Sequence, residues 1–233
     1  MRTLVLGIGV ASMATLCASA EAFQADNPYG GGTRLTGPAP AQIPESYASK
    51  EDRARIVTQR FAACMIKLRR AAIVKAIEPE PWQPEARRKL ATTTDSRCLE
   101  RGELVMAPAL LRGAYYQQLY RLDFASRRPI LPPTAIDFTA ASTGALTDEA
   151  KTEIALRQFG DCVARSDPGD SVALILSTPG TAEETNALGA LLPHFGGCLV
   201  RGSKWTLNRS SVTAILSEVV YREATSAGER PTK

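Results

Sequence analysis

The spacing of the cysteines is the feature that most restricts how this chain can fold. Four of its five cysteines lie beyond the N-terminal segment and form two pairs. Cys64 and Cys98 are 34 residues apart, and Cys162 and Cys198 are 36 residues apart. The residues around the two pairs match in the same order at a nearly constant offset of 98 to 101 residues. Ordered matches at a fixed offset are typical of an internal duplication.

Three short segments carry the repeat. They are residues 60–64 with 158–162, residues 98–102 with 198–202, and residues 120–121 with 221–222. The period is too long for a solenoid. We therefore predict a mainly α fold, in which residues 49–128 and 146–227 each form a small four-helix domain with one short extended segment. Bridges within each copy, Cys64–Cys98 and Cys162–Cys198, would each close a loop and contribute about 3–4 kcal/mol.

The N-terminus is typical of a secretory signal peptide, which we assign to residues 1–22. Arg2 precedes a largely apolar stretch of 13 residues, Leu4–Leu16, and small residues follow where cleavage would occur. Such a stretch is too short to span a bilayer. Lipidation at Cys17 is disfavoured, because Leu16 stands where that pattern needs a small residue. The sequence thus predicts export to the periplasm or the extracellular space, where paired cysteines form disulfides.

Three other segments lie outside the two copies. Residues 23–48 contain three consecutive glycines and several prolines, so we predict a flexible linker. Residues 129–145 begin with prolines and are expected to form a stiff connector between the copies. Residues 228–233 are a short C-terminal tail.

Helix signals are clearest in the second copy. Thr147 and Asn208 are N-cap candidates, Pro168 suits the first position of a helix, and Thr181 with Glu184 forms a capping-box pattern. One helical face in each copy carries the first cysteine of the pair: Val57, Phe61, Cys64, Met65 and Leu68, and Ala155, Phe159, Cys162, Val163 and Ser166. This spacing predicts that both cysteines lie on buried stripes. Short extended segments are expected near residues 101–106 and 201–207.

The sequence offers little for catalysis. His194 is the only histidine, so any mechanism that needs two imidazoles is excluded. No nucleophile motif, phosphate loop or metal-ligand spacing is present. The acidic pairs 148–149 and 183–184 fall in first turns of helices, where the helix dipole favours negative charge. We therefore expect a non-enzymatic binding protein with no cofactor or metal; the alternative is a hydrolase with a site between the copies.

Charge is divided unevenly along the chain. Residues 51–128 contain 16 basic and 9 acidic residues, whereas residues 129–233 contain 9 basic and 12 acidic ones. The first copy therefore carries a net charge of +7 and the remainder −3. This difference indicates an anionic partner for the first copy, such as a lipid, a polysaccharide or a protein surface. The candidate contact residues are Lys67, Arg69, Arg70, Arg87, Arg88 and Lys89. Nucleic acid is not expected, because the whole chain carries only +4.

Overall fold

Helices dominate the computed structural model, which describes residues 33–37, 49–99, 102–126, 134–140, 142, 144–200 and 205–227. The described α-helices are α1 (Lys50–Ile77), α2 (Pro84–Ala91), α3 (Pro108–Asp123), α4 (Asp148–Ser166), α5 (Pro168–Leu176), α6 (Ala182–Cys198) and α7 (Arg209–Ser226). The predicted mainly α fold is confirmed. We call residues 49–126 the N-terminal half and residues 134–227 the C-terminal half. The predicted signal peptide and C-terminal tail lie outside the described residues.

The predicted helix starts of the C-terminal half are confirmed. The Thr147 hydroxyl accepts the backbone N–H of Ala150 at 3.2 Å, and α5 begins at Pro168. Asn208 Oδ1 accepts the N–H of Ser211, whose hydroxyl in turn accepts the N–H of Asn208, both at 2.9 Å. These caps satisfy N–H groups that have no partner inside the helix. They form from residues three positions apart, which is why local sequence predicts them.

The structure contains one small sheet among its described residues. Strand β1 (Thr33–Gly37) pairs antiparallel with β2 (Gly102–Met106). The extended segment expected near residues 101–106 is therefore confirmed. The prediction that residues 23–48 are a flexible linker is wrong at β1, because these five residues find backbone partners about 70 positions away in the sequence. In the C-terminal half, residues 205–207 form no strand, and residues 201–204 lie outside the described residues.

One disulfide ties each half together, with the pairing expected from the sequence. Cys64 of α1 is bonded to Cys98, which ends a short 3₁₀ turn (Ser96–Cys98), and Cys162 of α4 is bonded to Cys198 at the end of α6. Each bridge therefore fixes the first long helix of its half to the segment before the last helix. In each half, the last helix, α3 or α7, follows the disulfide-linked segments in the sequence.

Helices α3 and α7 join the two halves and make the most extensive helix contact in the described part of the chain. A Cβ added at Gly113 of α3 would lie 2.3 Å from Cβ of Ala214, so only glycine permits this approach. Gly160 of α4 meets Ile215 of α7 in the same way, at 2.5 Å. Tyr221 packs against the apolar clusters of both halves. Helix α7 is thus the centre around which α3 and α4 are packed.

The predicted buried stripes are confirmed only in part. Phe61 and Met65 of α1 and Phe159 and Val163 of α4 are buried. Leu68, however, is 50% exposed, and the prediction of its burial is wrong. The buried face here also includes Ala62 and Ile66, and Leu68 lies at its edge. Ser166 is also exposed, because it is the last residue of α4.

Candidate functional site

A cavity of about 340 Å³ lies between the two halves. We call it the inter-half cavity. Its walls come from α1, β2 and α3 of the N-terminal half, and from the α5–α6 loop and the first turns of α7 of the C-terminal half. The close crossing of α3 and α7 at Gly113 and Ala214 forms part of the wall. The cavity therefore depends on the way the halves pack together.

The wall of the inter-half cavity is largely apolar. Strand β2 contributes Leu104 and Met106, which are 7% and 6% exposed. Further apolar wall residues are Ala54, Ala107, Leu110, Ala114, Pro179 and Ala214. Ala54 is exposed, so it stands where the cavity meets solvent. An apolar wall of this kind favours a ligand whose main body is hydrophobic.

Arg55 is a charged wall residue that is neutralised by its neighbours. It bonds both Asp52, one turn earlier in α1, and Glu184 of α6, with Nη2 2.8 Å from Glu184 Oε2. Glu184 is 2% exposed and also accepts the N–H of Gly180 at 2.9 Å. Burial disfavours the charged guanidinium, but the hydrogen bonds that Arg55 donates to Glu184 and Asp52 outweigh this effect and raise the pKa of Arg55. Arg55 therefore stays charged and ties α1 to α6.

This contact also corrects one sequence inference. Thr181 caps α6 by accepting the N–H of Glu184 at 3.4 Å, as expected. The other half of the predicted capping box does not form, because the Glu184 carboxylate bonds Gly180 and Arg55 instead. A pattern that looks local in the sequence thus holds the two halves together in the structure.

Two glutamines form a second polar contact in the cavity wall. Gln117 of α3 donates Nε2–H to the carbonyl oxygen of Ile175 at 2.8 Å, so its Oε1 is an acceptor. Gln59 of α1 donates Nε2–H to that Oε1 at 3.1 Å. The carbonyl of Ile175 therefore fixes both amide orientations, since a backbone carbonyl can only accept. Gln59 Oε1 remains as an acceptor, with no partner shown among the described residues.

A buried ion cluster lies outside the cavity, where α3, α4 and α7 meet. Glu218 of α7 accepts four hydrogen bonds, two from Arg112 at 3.2 and 2.9 Å and two from Arg157 at 3.1 and 2.8 Å. Burial alone would raise the pKa of Glu218, but the two guanidinium groups hold it far below its usual range. Arg157 also bonds Glu153, and Arg112 donates to the carbonyl of Pro79 at 2.9 Å. The cluster is satisfied internally, which indicates a structural role.

A pair of carboxyl groups lies near the end of α4. Arg165 donates to Asp161 at 2.9 Å and to Glu223 of α7 at 2.6 Å. Burial, together with the hydrogen bond and charge of Asp161, raises the pKa of Glu223 to about 8. Burial and the adjacent Asp161 carboxyl group therefore both favour the protonated form of Glu223.

The structure places the six predicted contact residues on two helices, three on α1 and three on α2. Arg70 bonds both oxygens of the buried Asp123 at 2.7 Å. Arg87 pairs with Glu149 of the C-terminal half, and Lys89 pairs with Glu85. The other three are exposed, and no ion pair involves them among the described residues: Lys67, Arg69 and Arg88. The basic residues 127–128 lie outside the described residues.

His194 does not belong to the inter-half cavity. It is half-buried in the last turns of α6, four residues before Cys198. The acidic pairs 148–149 and 183–184 lie in first turns of α4 and α6, as expected. Sequence reasoning missed Arg55, Gln59 and the buried ion cluster. A charged or amide side chain carries no local signal of the partner that it finds across the fold.

Comparison with known proteins gives no relative. No family model, no curated protein and no solved structure matches the chain significantly. Within the described ranges, no helix combines the length and apolar character that crossing a membrane requires. The same residues contain no group of three histidine, cysteine or acidic side chains that could hold a metal ion.

Proposed function

We propose that the protein is an exported, non-enzymatic binding protein that holds a small molecule in the inter-half cavity. The cavity itself is the observation that carries this proposal. Its volume of about 340 Å³ falls within the range of roughly 300–1,000 Å³ that is typical of ligand sites. Apolar walls with a few fixed polar groups, here Arg55 and Gln59, are also typical of such sites.

The chemistry of the wall favours binding over hydrolysis. Three hydroxyl residues line the cavity, namely Thr58, Ser210 and Thr213. Thr58 donates to the carbonyl of Ala54 at 2.9 Å, and no lining hydroxyl is bonded to a histidine or carboxylate within the described residues. A serine or threonine nucleophile needs an adjacent base. A hydrolase acting between the halves is therefore the weaker hypothesis.

Export and duplication are parts of the same proposal. The two disulfides support export, because they persist in oxidising compartments. The contact between α3 and α7 supports duplication, since Gly113 and Ala214 meet there and are 101 residues apart, an offset of the repeat. Equivalent residues meet at the axis when two copies are related by a two-fold rotation. Mass spectrometry of the exported protein should show an N-terminus at Glu21 or Phe23.

Blocking the mouth of the cavity tests the binding proposal. Ala54→Phe places a ring at the cavity mouth, and Ala63→Phe places the same ring on an exposed part of α1 that does not line it. Isothermal titration with small bicyclic aromatic molecules should show binding by the wild type and by A63F. A54F should lose at least tenfold in affinity. Equal binding by A54F and A63F, or none by the wild type, would reject the cavity as the site.

We propose contact with an anionic surface as a second function. It rests on Lys67, Arg69 and Arg88, which are exposed and have no ion-pair partner in the described part of the chain. Co-sedimentation with phosphatidylglycerol vesicles at 50 mM and 500 mM salt tests it. Binding should be weaker at 500 mM salt, because salt screens exposed charges. Arg88→Glu should weaken binding at 50 mM salt, because it replaces an attractive charge by a repulsive one. Lys151→Glu is the control, since Lys151 lies on the C-terminal half. Binding that is indifferent to salt and to R88E would contradict the proposal.

A further inference from the structure

We infer that the ligand of the inter-half cavity is an uncharged, mainly apolar molecule with one hydroxyl or similar group that donates a hydrogen bond to Gln59. This inference rests on the proposed function, which it extends from a binding site to a class of ligand. Size, charge and hydrogen-bonding direction each contribute one step.

The size of the cavity indicates a molecule larger than a single ring. An apolar cavity of about 150 Å³ in a protein interior binds benzene. The inter-half cavity is roughly twice as large, at about 340 Å³. A bicyclic aromatic compound or a terpenoid of similar bulk fits that volume. The residues that such a body would contact are Leu104, Met106, Leu110 and Ala114.

The charges around the cavity disfavour a charged ligand. Arg55 is the cation among the described wall residues. Asp52 and Glu184 neutralise its charge through Nη1 and Nη2, and only its buried Nε–H is left without a partner there. Arg209 lies 3.9 Å from Glu184, and the wall residue Glu51 adds a third carboxylate. Among the described residues the local balance is therefore negative by one charge, and a ligand carboxylate would find no cation there that is not already paired. Burial of an unpaired charge costs far more than a single hydrogen bond returns.

An ammonium group is disfavoured for a related reason. The Arg55 guanidinium in the wall repels it. Glu184 and Asp52 are already bonded to Arg55. Glu51 is exposed, so solvent screens its attraction for a cation. Arg55 is thus paired with Asp52 and Glu184, the charge of Glu51 is screened by solvent, and a neutral group is the favoured occupant.

The glutamine pair sets the direction of the hydrogen bond. Since Gln117 Nε2 donates to Ile175, Gln59 Nε2 must face Gln117, and Gln59 Oε1 is left as the acceptor. Gln59 is half-buried and lines the cavity. A ligand with a hydroxyl group can donate to this oxygen, whereas an ether or a hydrocarbon of the same shape cannot. The amide therefore distinguishes ligands that are equal in size.

Four naphthalene derivatives with nearly the same apolar body separate these possibilities. They are 2-naphthalenemethanol, 2-methylnaphthalene, 2-naphthoate and 2-naphthylmethylammonium, each titrated calorimetrically into the full mature protein at pH 7. The alcohol should bind tightest, about three- to tenfold better than the hydrocarbon, as expected for one net hydrogen bond. The carboxylate and the ammonium should each bind at least tenfold more weakly than the alcohol.

Two glutamine variants test the acceptor. Gln59→Leu should bind the alcohol and the hydrocarbon equally, while Gln158→Leu, on the exposed face of α4, should keep the preference for the alcohol. Near-identical circular dichroism spectra would show that both variants fold. The inference about the ligand would be overturned if the charged probes bound as well as the alcohol, or if Q59L kept the preference for the alcohol. The A54F variant would still test, separately, whether the cavity is the binding site. No binding by any of the four would overturn both.

Discussion

The buried ion cluster predicts a large loss of stability for a very small substitution, Glu218→Gln. The glutamine keeps the shape of Glu218 but replaces one oxygen by an NH₂ group, and each oxygen accepts one N–H from Arg112 and one from Arg157. Of the four hydrogen bonds that Glu218 accepts, at 2.8 to 3.2 Å, the two facing that NH₂ group are lost. Hydrogen bonds to charged groups contribute about 1.5–3 kcal/mol each. We therefore expect unfolding to cost about 3–5 kcal/mol less, the usual penalty for breaking a buried ion pair.

Urea denaturation at pH 7, followed by circular dichroism, measures this loss directly. Thermal melts should show a midpoint that is roughly 10 °C lower, since a chain of this length shifts by about 2–4 °C per kcal/mol. Glu85→Gln is the control, because the Glu85–Lys89 pair is exposed and contributes at most about 1 kcal/mol. A loss below 1 kcal/mol for E218Q would refute the reasoning from burial and pairing.

The same substitution has a pH dependence whose sign follows from the structure. The pKa of Glu218 is lowered in the folded state, so its contribution to stability is present above the unfolded pKa of about 4.3 and is lost as pH falls below it. The amide that replaces this carboxyl group in the variant cannot titrate. The difference in stability between wild type and E218Q should therefore shrink steadily as the pH is lowered from 5 to 3.

Three further substitutions probe the helix crossing, the buried carboxyl pair and a disulfide. Gly113→Ala should lower the free energy of unfolding by about 1–3 kcal/mol through overpacking. Gly189→Ala is the control: the added Cβ meets open space, so the free energy of unfolding should stay unchanged or rise. The pKa of Glu223 is raised to about 8 in the folded state, so the wild type loses stability as the pH rises from about 4.3 through 8. The free energy of unfolding of Glu223→Gln should therefore rise relative to that of the wild type between pH 5 and pH 8. Replacing Cys162 and Cys198 by alanine should cost about 3–4 kcal/mol in urea unfolding, and an unchanged midpoint would contradict the loop-closure account.

The sequence predicted features that depend on neighbours in the chain. The caps at Thr147 and Asn208 form between residues three positions apart, and the structure shows both. The disulfide pairing was predicted from an internal repeat that we inferred from the sequence alone. Leu68 was misplaced because the buried face of this part of α1 is formed by Phe61, Ala62, Met65 and Ile66, and Leu68 lies at its edge.

The candidate site could not be predicted in the same way. Its wall combines α1, β2 and α3 with the beginning of α7, which lies more than 150 residues after the start of α1. Gln59 acquires its orientation only from Gln117 and from the carbonyl of Ile175. The sequence suggested Arg70 and Arg87 as contacts for an anionic partner, but each has a carboxylate partner in this chain more than 50 positions away. Contacts of this kind are set by packing, and composition does not reveal them.

The central place of α7 has a consequence for the order in which the molecule can fold. It follows every other described helix in the chain, yet α3, α4 and α5 pack against it. A polypeptide that emerges N-terminus first therefore exposes the apolar faces of these helices until α7 appears. Loop closure over such distances slows folding. Chains that end before Arg209 should accordingly remain open and be degraded or held by chaperones, because the core is complete only once α7 has been synthesised.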